Sequence, residues 1–137
     1  MADDSVRRIG RDELGPGAAT PGMARREAVS TDGMWAGVVE TEPGATSGWH
    51  HHGEYESTLH IVRGRMRMEF GPGGSEMVEA GPGDFLYVAP YTVHREGNPA
   101  GELGVAVVVR AGHGPAVFNV EGPDLLNVDG PDVNPRG

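Results

Sequence analysis

Between Arg65 and Phe70 the chain alternates polar and apolar residues at every step, Arg-Met-Arg-Met-Glu-Phe. A repeat of two belongs to a β-strand, whose side chains point alternately to opposite faces, so this segment predicts a strand with one wet side. Val105-Ala106-Val107-Val108-Val109 has no polar position at all, which predicts a strand near the centre of the assembly. Further short segments of strand-like composition run from Met23 onward, each closed by Gly or Pro: Met23–Ser30, Met34–Glu42, Trp49–His52, Ser57–Arg63, Glu76–Glu79, Phe85–Val88, His94–Asn98 and Leu103–Arg110. Short strands spaced in this way predict an all-β sandwich or barrel.

The turns have identifiable chemistry. Gly71-Pro72-Gly73-Gly74 and Gly81-Pro82-Gly83-Asp84 combine the fixed φ of proline with the positive φ open to glycine, and each predicts a hairpin. Residues 1–22 show no sustained period and read as a flexible N-terminal arm. Residues 23–112 read as one barrel, and 113–137 as an extended tail, rich in Pro-bearing turns, that packs on the barrel or on a neighbour. Its one weak apolar run is Ala116–Val120.

Composition narrows this picture. Gly and Pro account for 23 and 11 of the 137 residues, which leaves little room for long helices but is compatible with either disorder or a turn-rich β domain. The 37% hydrophobic content and the β-branched runs favour the folded alternative. Every basic residue is Arg and the formal net charge is −9, so a nucleic-acid partner, which needs a positive footprint, is not expected. The absence of cysteine excludes disulfides, a thiolate nucleophile and cysteine-ligated metals, and fits a reducing cytoplasm. Met1–Leu14 is charged, and no stretch approaches the roughly 18 apolar residues of a membrane span, so a cytoplasmic protein with no membrane partner is expected. Exposed sheet edges need covering, from which a homodimer is expected.

Chemistry is concentrated in the histidines. Three stand together at His50-His51-His52, and the others are His60, His94 and His113. On a strand, a His-x-His pair places both imidazoles on one face, roughly 6.5 to 7 Å apart along the backbone. His50 and His52 can then reach one metal ion, with His94 as the candidate third ligand at the start of another strand. The alternative is a solvated loop that binds metal adventitiously. His60, inside the apolar stretch Leu59–Val62, favours a structural role, and His113 carries no signal.

The stretch Gly44-(x5)-His50-x-His52 through Gly64, followed by Gly83-(x5)-Ala89-x-Tyr91-(x2)-His94-(x3)-Asn98, resembles the two motifs of the cupin superfamily, in the manner of its small single-domain bacterial members. The resemblance covers roughly residues 30–110 and implies a double-stranded β-helix of the jelly-roll class. It also implies that His50, His52 and His94 bind a divalent metal in the barrel mouth. Where the family carries a Glu ligand, seven residues before the closing Gly, this chain has Ser57. Either Glu56 shifts into that role past a turn at Gly53, or the site is three histidines with open positions; the three-His site is favoured over a Glu56 ligand. In the second motif the usual Pro and Gly are Ala89 and Tyr91.

Strand parity places Glu96 on the face of His94, where it is a candidate general base, a rim salt bridge being the competing role. Trp49, Tyr55 and Tyr91 are candidate substrate-binding residues, with Met66, Met68 and Phe70 assigned to the core. Imidazole ligands suit Zn, Fe, Ni or Cu, and a carboxylate among them shifts the expectation toward iron or manganese. The expected function is a metal-dependent enzyme acting on a small organic molecule, of dioxygenase, isomerase, cyclase, lyase or nitrogen–nitrogen bond-forming type. The alternative is a non-catalytic module that senses or stores a small ligand.

Overall fold

The computed structural model describes residues 5–123. It consists of eleven strands and two short 3-10 turns among these residues: β1 (Gly15–Thr20), β2 (Met23–Ser30), β3 (Met34–Thr41), β4 (His50–His51), β5 (Glu56–Arg63), β6 (Met66–Phe70), β7 (Glu76–Ala80), β8 (Phe85–Val88), β9 (His94–Gly97), β10 (Gly104–Ala111) and β11 (Phe118–Asn119). They form two antiparallel sheets, a six-stranded one in the order β1-β2-β3-β10-β5-β8 and a five-stranded one in the order β11-β4-β9-β6-β7. This is the expected all-β jelly-roll. No helix among the described residues is long and apolar enough to cross a membrane.

The alternation in the sequence explains which faces meet. Met66 and Met68 of β6 point inward, as do Leu59 and Ile61 of β5, Ala106 and Val108 of β10, Leu86 and Val88 of β8, and Val39 of β3, and together they form the core between the sheets. The strand β10, apolar from Val105 to Val109, lies in the interior of its sheet, paired with β3 on one side and β5 on the other. Its apolar outward positions belong to an uncovered face: Val107, with Val62, Phe85 and Tyr87 nearby in the sheet order, is exposed. The outer face of the five-stranded sheet is polar instead, with Arg67 bonded to Glu79 and Arg95 to Glu69.

Two expectations differ from the structure. Part of the N-terminal segment read as a flexible arm is strand β1, paired with β2 through a register shift between Pro16 and Ala19. A Gly-Pro-Gly-Ala-Ala strand has no alternation to reveal it, and its edge position with an irregular ladder is where proline is tolerated. Gly71–Gly74 closes the β6–β7 hairpin. Gly81–Asp84 is tightly turned, with Asp84 Oδ2 accepting from the Gly81 N–H at 2.9 Å, but it carries the chain from one sheet to the other: β7 pairs with β6, and β8 with β5. Turn residues determine that a chain bends, not which strand it joins next. The tail through residue 123 packs on the barrel by way of β11; the part of it at 124–137 lies outside the described residues.

Asn98 fixes the exit from β9. Its Nδ2 donates to Thr41 O at 2.9 Å and Glu102 O at 2.8 Å, and its Oδ1 accepts from the Ala100 N–H at 2.9 Å, all in a buried position. Gly64, at φ 74°, closes the β5–β6 corner where a Cβ would lie 2.8 Å from the Leu103 carbonyl oxygen. Replacing Asn98 by Ala strips one buried and two partly buried backbone groups of their partners, at about 1–3 kcal/mol for each buried group left unsatisfied. We expect Asn98→Ala to lower the urea midpoint by an amount corresponding to at least about 2 kcal/mol with the slope unchanged; an unaltered midpoint would show that the turn holds without it.

Candidate metal centre

The five-stranded sheet positions four donors at one point. His50 on β4 stands directly opposite His94 on β9 in the antiparallel register. His52 follows two residues after His50, and Glu96 two residues after His94, so each strand contributes a second group to the same inward face. The potential ligand atoms of His50, His52, His94 and Glu96 all lie within 4.8 Å of one another, and all four residues are buried. Glu96 Oε1 is 3.4 Å from His50 Nε2 and 3.9 Å from His94 Nε2.

Each imidazole is held by the nitrogen that faces away from this point. His50 Nδ1 donates to Gly48 O at 2.9 Å, His94 Nδ1 to Thr92 O at 2.9 Å, and His52 Nδ1 to Ala116 O at 2.7 Å. A carbonyl can only accept, so each Nδ1 carries the hydrogen and each Nε2 faces the centre. Glu96 is pinned through its backbone: its N–H donates to Ser47 Oγ at 3.0 Å, and its carbonyl accepts from the Ser47 N–H at 2.8 Å.

Burial sets the charge states. Desolvation, helped by His94, Arg110 and His50, lowers the pKa of His52 to about 2. Desolvation followed by repulsion from His50 lowers that of His94 to about 4. For Glu96, burial works against ionisation, but the hydrogen bond from His50 and the charges of His94, His50 and Arg25 outweigh it, and its pKa lies below the usual carboxylate range. Two neutral imidazoles with free lone pairs beside an ionised carboxylate that no arginine among the described residues hydrogen-bonds are a donor set that fits a divalent cation.

The centre lies at the inner end of an open cavity of about 630 Å³, lined by His50, His52, Trp35, Tyr55, Arg25 and Arg110 among others. A recess of about 10 Å³ continues inward past His52 to His94, Glu96, Ser57 and Arg110. The strand β11 closes one side: it pairs with β4, and Phe118 stacks on His51 with ring centroids 4.8 Å apart. Gly53 makes the turn after His52 at φ 59°, in a space where a Cβ would meet the Phe118 ring at 2.8 Å.

Other expected site residues lie elsewhere. Glu56 is on the exposed face of β5, where its carboxylate accepts from the Tyr87 hydroxyl at 2.9 Å; the turn at Gly53 reverses the parity, so that Ser57 rather than Glu56 faces inward with His52, and Glu56 lies outside the cluster. The carboxylate that joins the histidines is Glu96, so the cluster is three histidines and one glutamate rather than three histidines alone. Trp49 neighbours His50 and so points to the opposite face, beneath the Arg95 guanidinium at 4.5 Å. Tyr91, held at φ 60° in the turn before β9, has its ring 6.0 Å from that of His51, away from the cavity. Tyr55 does line the cavity, with its hydroxyl donating to Gly114 O at 2.9 Å. His60 packs against Phe85 on the outer face of β5. Trp35, Arg25, Ser57 and Arg110 were not anticipated. Parity with Ala106 and Val108 was the available signal for Arg110.

A family model described as Cupin domain matches residues 37–110. No curated protein sequence matches the chain. Among solved structures, a double-stranded β-helix protein from Klebsiella pneumoniae is similar at 20% identity and a TM-score of 0.69, covering 85% of this chain and 99% of that one. The polyketide cyclase RemF from Streptomyces resistomycificus is similar at 20% identity and a TM-score of 0.70, covering 84% and 85%. KdgF from Halomonas sp. shows 19% identity and a TM-score of 0.67, covering 80% and 96%. At these identities the likeness concerns the fold.

Two outcomes follow from the geometry. Below a pH of about 6.5 the unfolded chain takes up protons on His52 and His94 that the native chain refuses, so stability falls as pH falls. The loss is about 1.4 kcal/mol per pH unit for each imidazole, down to about pH 4 for His94. The thermal midpoint of the metal-free protein should drop between pH 7 and pH 5, and His94→Gln should flatten that slope; a profile unchanged by the substitution contradicts it. Loss of the Phe118 stack loosens the carbonyl that orients His52, for which a 10- to 100-fold weakening of metal affinity is typical. Competition with a chelator should show this loss in Phe118→Ala, and an unaltered affinity would deny β11 that role.

Proposed function

The chain belongs to the cupin domain family, and we propose on that premise that it is a metal-dependent enzyme acting on a small organic molecule. The observation that carries this reading is the three-histidine, one-glutamate cluster at the inner end of an open cavity. A convergent donor set beneath a concave, partly aromatic space is the usual description of a substrate site. His50, His52, His94 and Glu96 would hold the ion, and the carboxylate in the set favours iron or manganese. When bound, such an ion supplies Lewis-acid activation of a substrate oxygen or access to redox chemistry.

The residues of the chain supply the rest. The three Nδ1–carbonyl bonds fix the imidazoles before any ligand arrives, which removes the ordering cost from the binding step. Trp35 is itself fixed, its Nε1 donating to Glu27 Oε1 at 2.8 Å, and with Tyr55 it offers flat apolar surface to an organic ligand. β11 and the turn at Gly53 narrow the mouth and restrict access of water to the centre.

Elemental analysis of the purified protein tests the reading. Stoichiometric transition metal is expected in the wild type, with near-complete loss in His50→Ala and His94→Ala. Glu96→Gln separates two roles: loss of metal marks a ligand, whereas retained metal with abolished turnover marks a base. Metal content unchanged in both histidine variants would sink the assignment, and a loaded protein that binds small molecules without converting any would favour a binding module.

A further inference from the structure

Arg110 is the last inward residue of β10, at the end of a face whose preceding members are Ala106 and Val108. It is only 9% exposed, and its Nε has no hydrogen-bond partner among the described residues. Its guanidinium carbon lies over the face of the Trp35 ring, 4.8 Å from the ring centroid. Directly across the β10–β5 ladder stands Ser57, also buried, whose Oγ is likewise without a partner. Both line the recess that holds His52, His94 and Glu96, and Arg110 also lines the open cavity with Arg25.

A buried guanidinium stays charged, since nothing in a protein interior deprotonates it, and leaving it without an anion or acceptor is costly. Glu96 offsets part of that charge at a distance. Its carboxylate, however, belongs to the metal cluster, where a divalent ion would more than neutralise it. The other carboxylate of the cavity, Glu27, is engaged by Trp35. With the cluster filled, the positive charges of the ion, Arg110 and Arg25 outnumber the carboxylates that line the cavity and the recess, Glu27 and Glu96.

Resting on the reading of this cavity as the substrate site, we propose that the ligand is an organic carboxylate whose anionic oxygen is bound by Arg110 and Ser57. The recess of about 10 Å³ has room for about one oxygen-sized atom, while the outer cavity accepts the organic body against Trp35 and Tyr55. Arg110 thus selects for charge, and the open cavity above it selects for shape. The arrangement also accounts for an arginine on the inner face of an otherwise apolar strand.

The test uses the metal-loaded, full-length protein and paired probes of rising size: acetate and acetamide, benzoate and benzamide, 1-naphthoate and 1-naphthamide. Calorimetry at pH 7.5 should give at least one carboxylate that binds tenfold or more tightly than its amide. Arg110→Gln, with metal content and a cooperative melt like those of the wild type, should bring the two affinities to within about twofold. Arg110→Met should raise the melting temperature of the ligand-free protein, because the uncompensated buried charge is gone. Absence of any carboxylate preference in the wild type, or a preference that survives Arg110→Gln, overturns the proposal while leaving the metal centre standing. Loss of metal from the wild type instead refutes the underlying site.

Discussion

Where β4 and β9 run side by side, His50 faces His94, and because side chains alternate along a strand, His52 and Glu96 fall on that same inner face. All four donors depend on this one register. A slip of a single residue in either strand would turn that strand's donor pair, His50 with His52 or His94 with Glu96, to the outside. The ladder is secured on either side, by β6 against β9 and by β11 against β4, and the two Ser47–Glu96 hydrogen bonds, one of them through the serine hydroxyl, extend it beyond the formal strand.

Such a cluster is an expensive thing to place between two apolar sheets. Three imidazoles and a carboxylate replace what would otherwise be core, and burial, with repulsion from neighbouring groups, drives two of the imidazoles to neutrality. The fold tolerates them because each has its outer nitrogen satisfied by a carbonyl, and because Ile61, Leu59, Met68 and Val108 supply apolar packing further in. Arg110 and Ser57 are different, for their polar atoms are left over after the internal bonds have been made. Stability set aside in this way, next to a cavity, is the usual mark of a site shaped for something else.

Much of this was legible in the sequence. Alternation at Arg65–Phe70 and the apolar run at Val105–Val109 located strands whose positions in the sheets follow from their burial, and the spacing of His50, His52 and His94 needed only a period of two. Glu96 was visible by the same parity, though not its place beside the three Nε2 atoms, because distance across strands is a property of the ladder. Strand β1 was hidden, since Gly, Pro and Ala give no alternation. Glu56 was misplaced because a turn at Gly53 can alter parity or preserve it, and only the folded backbone shows which. Arg110 ends a valine-rich strand, and a lone charge there reads as the edge of the element until its face is known.

The orientation of the ligands is unequal. His50 and His94 are each fixed by a carbonyl two residues earlier in the chain, whereas His52 waits for Ala116, 64 positions later. Protein synthesis runs from the N-terminus and early segments fold first, so all four donors leave the ribosome before the group that aligns the last of them. An ion encountered by the growing chain would meet two prepared imidazoles and one that is still free to turn. Full grip on the metal is therefore among the last properties that the nascent protein acquires, arriving only when β11 folds back over the finished barrel.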